Sequence, residues 1–262
     1  MLFRSPGNFT FRTREFEQME IEYFVRPGTD AEWYAHWSAA RRDWYTRFGI
    51  RAENLRLREH APAELAHYAR ACVDVEYRFP FGWGELEGIA NRGDFDLRQH
   101  EEYSGEELRY FDAETREHIR PEVIEPSAGA DRSTLAFLID AYDEETIAED
   151  GKEDMRVVLH LHPGLAPYKA AVLPLLRNRP PLVAFAQEVH QALRRHHLVT
   201  YDETGAIGRR YRRQDEIGTP YCITIDFQSL DDRTVTVRDR DTMAQIRLPS
   251  EELVGWVASH LE

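Results

Sequence analysis

Residues 5–25, SPGNFTFRTREFEQMEIEYFV, decide how the first half of the chain is read. Residues 9–25 read as a strand. At period two, Met19, Ile21, Tyr23 and Val25 form an ordinary core face, and Arg12, Arg14, Phe16, Gln18, Glu20 and Glu22 fall on the other. Such a row fits the solvated face of an antiparallel sheet, which commonly carries mixed charge. It fits equally a floor beneath a ligand that combines phosphate, a planar ring and a cation. Guanidinium suits phosphate, an aromatic ring suits a base, and carboxylate suits ammonium.

Outward from this strand, Asp30–Phe48 reads as a helix, with Asp30 as its N-cap and Trp33, Trp37 and Trp44 as its apolar side. A second helix is expected from about Pro62 to Val73. FPFGWGELEGIA (79–90) reads as a loop followed by a strand that carries two carboxylates, Glu85 and Glu87. Glycines around such a strand suit a metal–phosphate site, or simply a structural bulge. Glu122-Val-Ile is strand-like, and Ser133–Tyr142 reads as a largely buried helix. Between them lies EPSAGADR (125–132). Asp131 or Ser133 can cap that helix, and Gly129 permits close approach to a ligand. Arg132 opposes the helix dipole by roughly 0.3–1 kcal/mol, a sign that a bound anion reverses. A glycine turn with a surface-paired arginine accounts for the same residues.

In the second half, strands are expected at 169–175, 197–202, 221–227 and 232–248, with helices at Leu182–His196 and Ser250–Leu261. Their alternation predicts an α/β domain. Residues 143–154 read as a loop, and the boundary is expected near 160, giving domains 1–160 and 161–262. Charge supports the division. The 262 residues carry a formal charge of −14, yet from Leu161 onward basic and acidic residues balance at 13 each, so the deficit lies before it. Net acidity argues against bulk capture of nucleic acid, but Arg209-Arg-Tyr-Arg-Arg213 is a local basic patch.

A hydrophobic share of 42% places the chain among soluble globular proteins, and no apolar run is long enough to span a membrane. The opening residues lack the apolar core of a signal peptide, so a cytoplasmic protein is expected. Two cysteines, Cys72 and Cys222, do not make a tetrahedral zinc site or a disulfide framework. His60, His67 and His100 show no ligand spacing. No G-x-S-x-G, P-loop or G-x-G-x-x-G occurs, which removes serine-nucleophile, Walker-type and Rossmann readings.

Taken together, residues 5–25, 67–97, 123–132, 208–222 and 234–248 resemble the homodimeric type of glycyl-tRNA synthetase, a class II aminoacyl-tRNA synthetase. The resemblance implies an α+β fold: part of a class II antiparallel sheet with helices, then an α/β anticodon-binding domain. It implies that Phe11, Arg12, Thr13, Arg14, Glu15 and Phe16 form the second half of motif 2 on ATP, with Arg12 and Arg14 near the phosphates and Phe16 stacked on adenine. Glu20 would hold the glycine ammonium with Glu125 and Ser127, in a site shared with Phe16, Gln18, Pro126 and Gly129. Glu85 and Leu86 would line the ATP site, with Glu85 reaching magnesium. Gly129, Ala130, Asp131 and Arg132 would be motif 3, with Arg132 on phosphate, so that Arg14, Glu20 and Arg132 carry the catalysis. Arg209, Arg210, Arg212 and Arg213 would face RNA. The partners implied are tRNA-Gly, glycine and a second copy of the chain, with no membrane. The same resemblance puts motif 1 and the first strands of the catalytic sheet ahead of residue 1; at Phe3-Arg4-Ser5-Pro6 the family has three more residues between arginine and serine, so the motif 2 Glu that reads adenine is missing, and Arg4 either replaces the motif 2 arginine or matches it by accident. The chain is therefore expected to be a C-terminal fragment or truncated paralogue. The function expected is ATP-dependent glycylation of tRNA-Gly, and the alternative is a non-catalytic RNA-binding or accessory protein.

Overall fold

A computed structural model describes residues 5–149 and 152–261, so the expectation for Arg4 lies outside the described residues. The chain divides into two compact units between Asp140 and Ala141. Among the described residues no helix is long and apolar enough to cross a membrane.

The first unit holds strands β1 (Gln18–Glu20), β2 (Tyr23–Val25), β3 (Leu55–Glu59), β4 (Ala71–Phe79), β5 (Gly82–Gly93), β6 (Tyr110–Asp112), β7 (Glu117–Ile119) and β8 (Glu122–Gly129). Its helices are α1 (Asp30–Arg47), α2 (Phe95–Ser104) and α3 (Ala130–Ala141), whose last residue begins the second unit. The main sheet is antiparallel, in the order β1-β8-β5-β4-β3, with β2 also on β8; β6 and β7 form a separate ribbon.

Several expectations are corrected here. The strand foreseen over 9–25 starts only at Gln18, because Asn8 and Phe9 adopt left-handed backbone and Phe9–Phe11 form a single tight turn. It is also split between Glu20 and Tyr23, opposite Pro126, which has no N–H to give to the ladder. The helix foreseen at Pro62–Val73 is absent. Residues 62–70 form turns and bends, and β4 begins at Ala71, where the β-branched and aromatic residues Val73, Val75, Tyr77 and Phe79 are buried. Asp30 begins α1 but does not cap it; its carboxylate accepts from Arg70 and Asn91 instead. The tryptophans do pack: Trp33 and Trp37 against Tyr23, Trp44 against Phe137.

The second unit holds β9 (Tyr142–Glu149), β10 (Lys152–Leu159), β11 (Ala170–Pro174), β12 (Val199–Tyr201), β13 (Tyr221–Ile225), β14 (Thr234–Asp239) and β15 (Gln245–Pro249). Its helices are α4 (Pro180–Leu193), α5 (Ile207–Glu216), α6 (Phe227–Asp232) and α7 (Leu253–Ser259). β12, β11 and β13 are parallel, joined through α4 and α5, and β14 and β15 extend the sheet antiparallel. Val172, Leu182, Phe185, Ile223 and Val237 sit in its buried core. This is the α/β domain that the alternation predicts, and the chain as a whole is α+β.

Of residues 143–154, read as a loop, 143–149 and 152–154 instead belong to the paired strands β9 and β10. The hairpin goes with the second unit because Arg156, wholly buried, donates to Asp215 at 3.0 Å and meets Glu145 at 2.7 Å. Compact packing thus divides the chain at 140/141, whereas the sequence reading divides it at 160/161.

Candidate functional site

Residues opposite one another in an antiparallel sheet share a face, so the register lays out the site. One row across the first unit's sheet is Glu20, Ser127, Gly88, Asp74 and Arg58. A neighbouring row is Glu125, Ala90 and Cys72. Gly88 and Ala90 keep the middle of this face low. Gln18 donates to Ser127 Oγ at 2.6 Å, and Ser127 Oγ points at Glu20 Oε1 at 3.4 Å, which links three of the expected glycine residues.

Beside them is a cleft of about 250 Å³. Of the expected residues, Phe11, Arg12, Thr13, Phe16, Gln18, Glu85, Ser127, Gly129, Asp131 and Arg132 line it. Thr10 and Glu17 line it too and were not foreseen; both flank the motif, and neither carries a periodicity signal. Phe16 is 61% exposed and free to meet a flat ring. Phe11 is already engaged, edge-on to Phe79 and Phe81 at 5.0 and 5.1 Å.

Arg132 is held in place before any ligand arrives. Its Nε donates to the Phe11 carbonyl at 3.0 Å and its Nη1 to the Glu85 carbonyl at 3.1 Å. Its guanidinium lies over the Phe11 ring, 4.6 Å from the centroid. The Glu85 carboxylate is 3.7 Å away and half exposed. The loop before β1 is fastened to the start of α3, because Ala130 N donates to Glu17 O at 2.9 Å and Glu17 N to Asp131 Oδ2 at 3.1 Å. Asp131 and Ser133 therefore sit inside the first turn rather than capping it. Ser133 Oγ is 3.2 Å from the buried Tyr45 hydroxyl.

Other expected residues are placed differently. Leu86 is buried in the core, so its side chain is not part of the cleft lining; β5 alternation turns it away from Glu85. Arg14, Glu15, Ala130, Pro126, Glu20 and Glu125 also lie outside that lining. Glu125 is paired with Arg92, which bonds Asp96 at 2.7 Å and stacks on Tyr68 at 4.1 Å. Burial, reinforced by Glu125 and opposed by Arg92, pushes the Glu22 carboxyl above its usual range. Glu20 raises it further, so Glu20, Glu22 and Glu125 form an acidic corner, relieved in part by Arg92, of the kind that receives a cation.

A single half-exposed carboxylate, Glu85, fits the way magnesium is held: by one or two carboxylates and substrate phosphates rather than an all-protein cage.

In the second unit the basic cluster lies on α5, and helix geometry divides it. Arg210, expected on the exposed face, is 1% exposed and donates to the carbonyls of Pro174 and Gly205, so it is turned away from solvent; burial lowers its affinity for its proton. Arg213 turns to Asp202 and the Thr204 carbonyl. Arg209 and Arg212, three apart on one side, line a groove of about 810 Å³ with Tyr211, Met243 and Gln245. Arg212 also meets Asp154 at 3.2 Å.

Comparison with known proteins gives a matching picture. Residues 169–260 match the family described as an anticodon binding domain. Over 253 residues the chain is 60% identical to a glycine–tRNA ligase of Geobacillus kaustophilus (strain HTA426), covering 97% of this chain and 54% of that relative. It is 57% identical to a glycine–tRNA ligase of Staphylococcus aureus (strain JH9), with 97% and 54% covered. The chain thus spans about half the length of the curated relatives it matches.

Proposed function

We propose that this chain, a homologue of the glycyl-tRNA synthetases, takes part in ATP-dependent attachment of glycine to its tRNA. The observation that carries the reading is the convergence of Phe16, Glu85, Gly129 and Arg132 on one cleft, beside a Gln18–Ser127–Glu20 chain on the same sheet.

In this reading the glycine ammonium sits against Glu20 and the Gln18–Ser127 pair. Adenine lies on Phe16, and the phosphates meet Arg132 and Arg12. Magnesium, held at Glu85, supplies positive charge against the triphosphate when bound. The glycine carboxylate attacks the α-phosphorus and pyrophosphate leaves; the terminal ribose hydroxyl of tRNA then attacks the glycyl carbonyl and AMP leaves. No protein nucleophile is required. What the residues contribute is position and preorganised charge, which account for most of the acceleration in phosphoryl-type transfers. Selection of glycine follows from excluding side chains sterically, because glycine offers no extra group to bind. Arg209 and Arg212 of the second unit are the residues offered to RNA. A homodimer and a cytoplasmic location accompany the reading as properties expected of the family.

The test is calorimetric binding of a non-hydrolysable sulfamoyl analogue of glycyl adenylate. Saturable binding that weakens at least about tenfold for the alanyl analogue is expected. Equal binding of the two analogues, or none in a folded protein, counts against this reading and favours the RNA-binding alternative.

A further inference from the structure

The end of β3 and the start of β4 bring together three metal-ligating atoms that the sequence keeps apart. The ring nitrogen of His60, the thiol of Cys72 and a carboxylate oxygen of Asp74 lie within 4.8 Å of one another. The register explains how. Glu59 pairs with Val73, so His60 falls opposite Cys72, and its N–H donates to the Cys72 carbonyl at 2.9 Å. Cys72 and Asp74, two residues apart, share a face of β4. His60 Nε2 is 2.8 Å from Asp74 Oδ2. Asp74 is buried, while His60 and Cys72 are half-buried.

We propose that His60, Cys72 and Asp74 form a zinc site with three protein ligands and a fourth position open to water. A nitrogen, sulfur and oxygen set suits a borderline-soft ion, and the thiol excludes magnesium and calcium. Zinc bonds of about 2.0–2.3 Å put tetrahedral ligand atoms roughly 3.3–3.8 Å apart. The three donor atoms, all within 4.8 Å of one another, lie close to that spacing. Cys72 loses its proton to solvent on binding, as metal thiolates require. Among the described residues Arg58 opposes the site, 3.6 Å from Asp74, although Glu64 shares it at 2.5 Å. The register puts the site on the sheet face of Glu125 and Ser127, so the bound ion would add positive charge to that acidic face. The inference rests on the donors alone and stands whether or not the chain activates glycine.

Cobalt titration of the purified chain tests it. A sulfur-to-cobalt charge-transfer band and strong tetrahedral visible bands should saturate at one equivalent and vanish on adding zinc. Cys72→Ser should lose the charge-transfer band, and Cys222→Ser should keep it. His60→Gln, at a half-buried position, should weaken cobalt binding at least about tenfold. Absence of the bands, a charge-transfer band that survives in Cys72→Ser, or unchanged affinity in a folded His60→Gln variant would overturn the proposal.

Discussion

Gly84 has no room for a side chain. A methyl group there would lie 2.9 Å from two carbons of the Phe11 ring, and Phe11 is the residue on which Arg132 rests. Gly84→Ala should therefore cost about 1–3 kcal/mol in denaturant unfolding. It should also weaken nucleotide binding more than the conservative Thr10→Ser change. Glu20 makes the complementary case. Glu20→Ala should abolish the response to glycine and leave ATP affinity largely intact, as read by titrating each substrate separately. At this scale the sequence is a mixed guide. Gln18 and Glu20 are legible as one face because alternation fixes which side chains of a strand share a face, whereas Ser127 joins them only through the resemblance. The outward or inward turn of each arginine on α5 is not, because consecutive residues on a helix point about 100° apart and only packing decides which one is buried.

Elements are legible where one period dominates and illegible where propensity competes with it. The helices α1, α3 and α4 follow from apolar periodicity. β4 was masked by helix-forming Ala, Glu and His residues just before it. The β9–β10 hairpin hid behind acidic side chains on an exposed surface, because pairing there depends on backbone hydrogen bonds rather than on an apolar face. Capping chemistry gives a prediction at the same scale. Asp226 caps α6, accepting from Ser229 N at 3.0 Å, and Arg247 lies 2.7 Å from its carboxylate. Chiefly through Arg247, its pKa is lowered to about 2. A carboxylate whose folded pKa is depressed contributes stability above its unfolded value of roughly 3.9 and loses it as pH falls through the folded value. Because the pair is only partly buried, its share is roughly 1 kcal/mol. Asp226→Asn should lower the thermal midpoint at neutral pH, and the difference from the parent should shrink as pH drops from about 4 toward 2.

At the level of the whole molecule, the charge balance divided the chain near Leu161 while packing divides it after Asp140. The difference is the hairpin that carries Arg156 into the network of Asp215 and Arg238. A buried aspartate between two guanidiniums is not foreseeable from composition. Asp215→Ala leaves buried positive charge without its partner and should cost about 3–5 kcal/mol. The fragment 141–262 should unfold cooperatively on its own, and 161–262, which lacks Arg156, should melt at a lower temperature. Equal midpoints for the two fragments would show that the hairpin is dispensable to the domain.

Whether the sheet face of the first unit activates glycine, as proposed, is measured by ATP–pyrophosphate exchange on the purified 262-residue chain. Exchange that requires glycine and is lost in Arg132→Ala is expected. Exchange that is absent in a protein shown to be folded, or that proceeds equally without glycine, would contradict it.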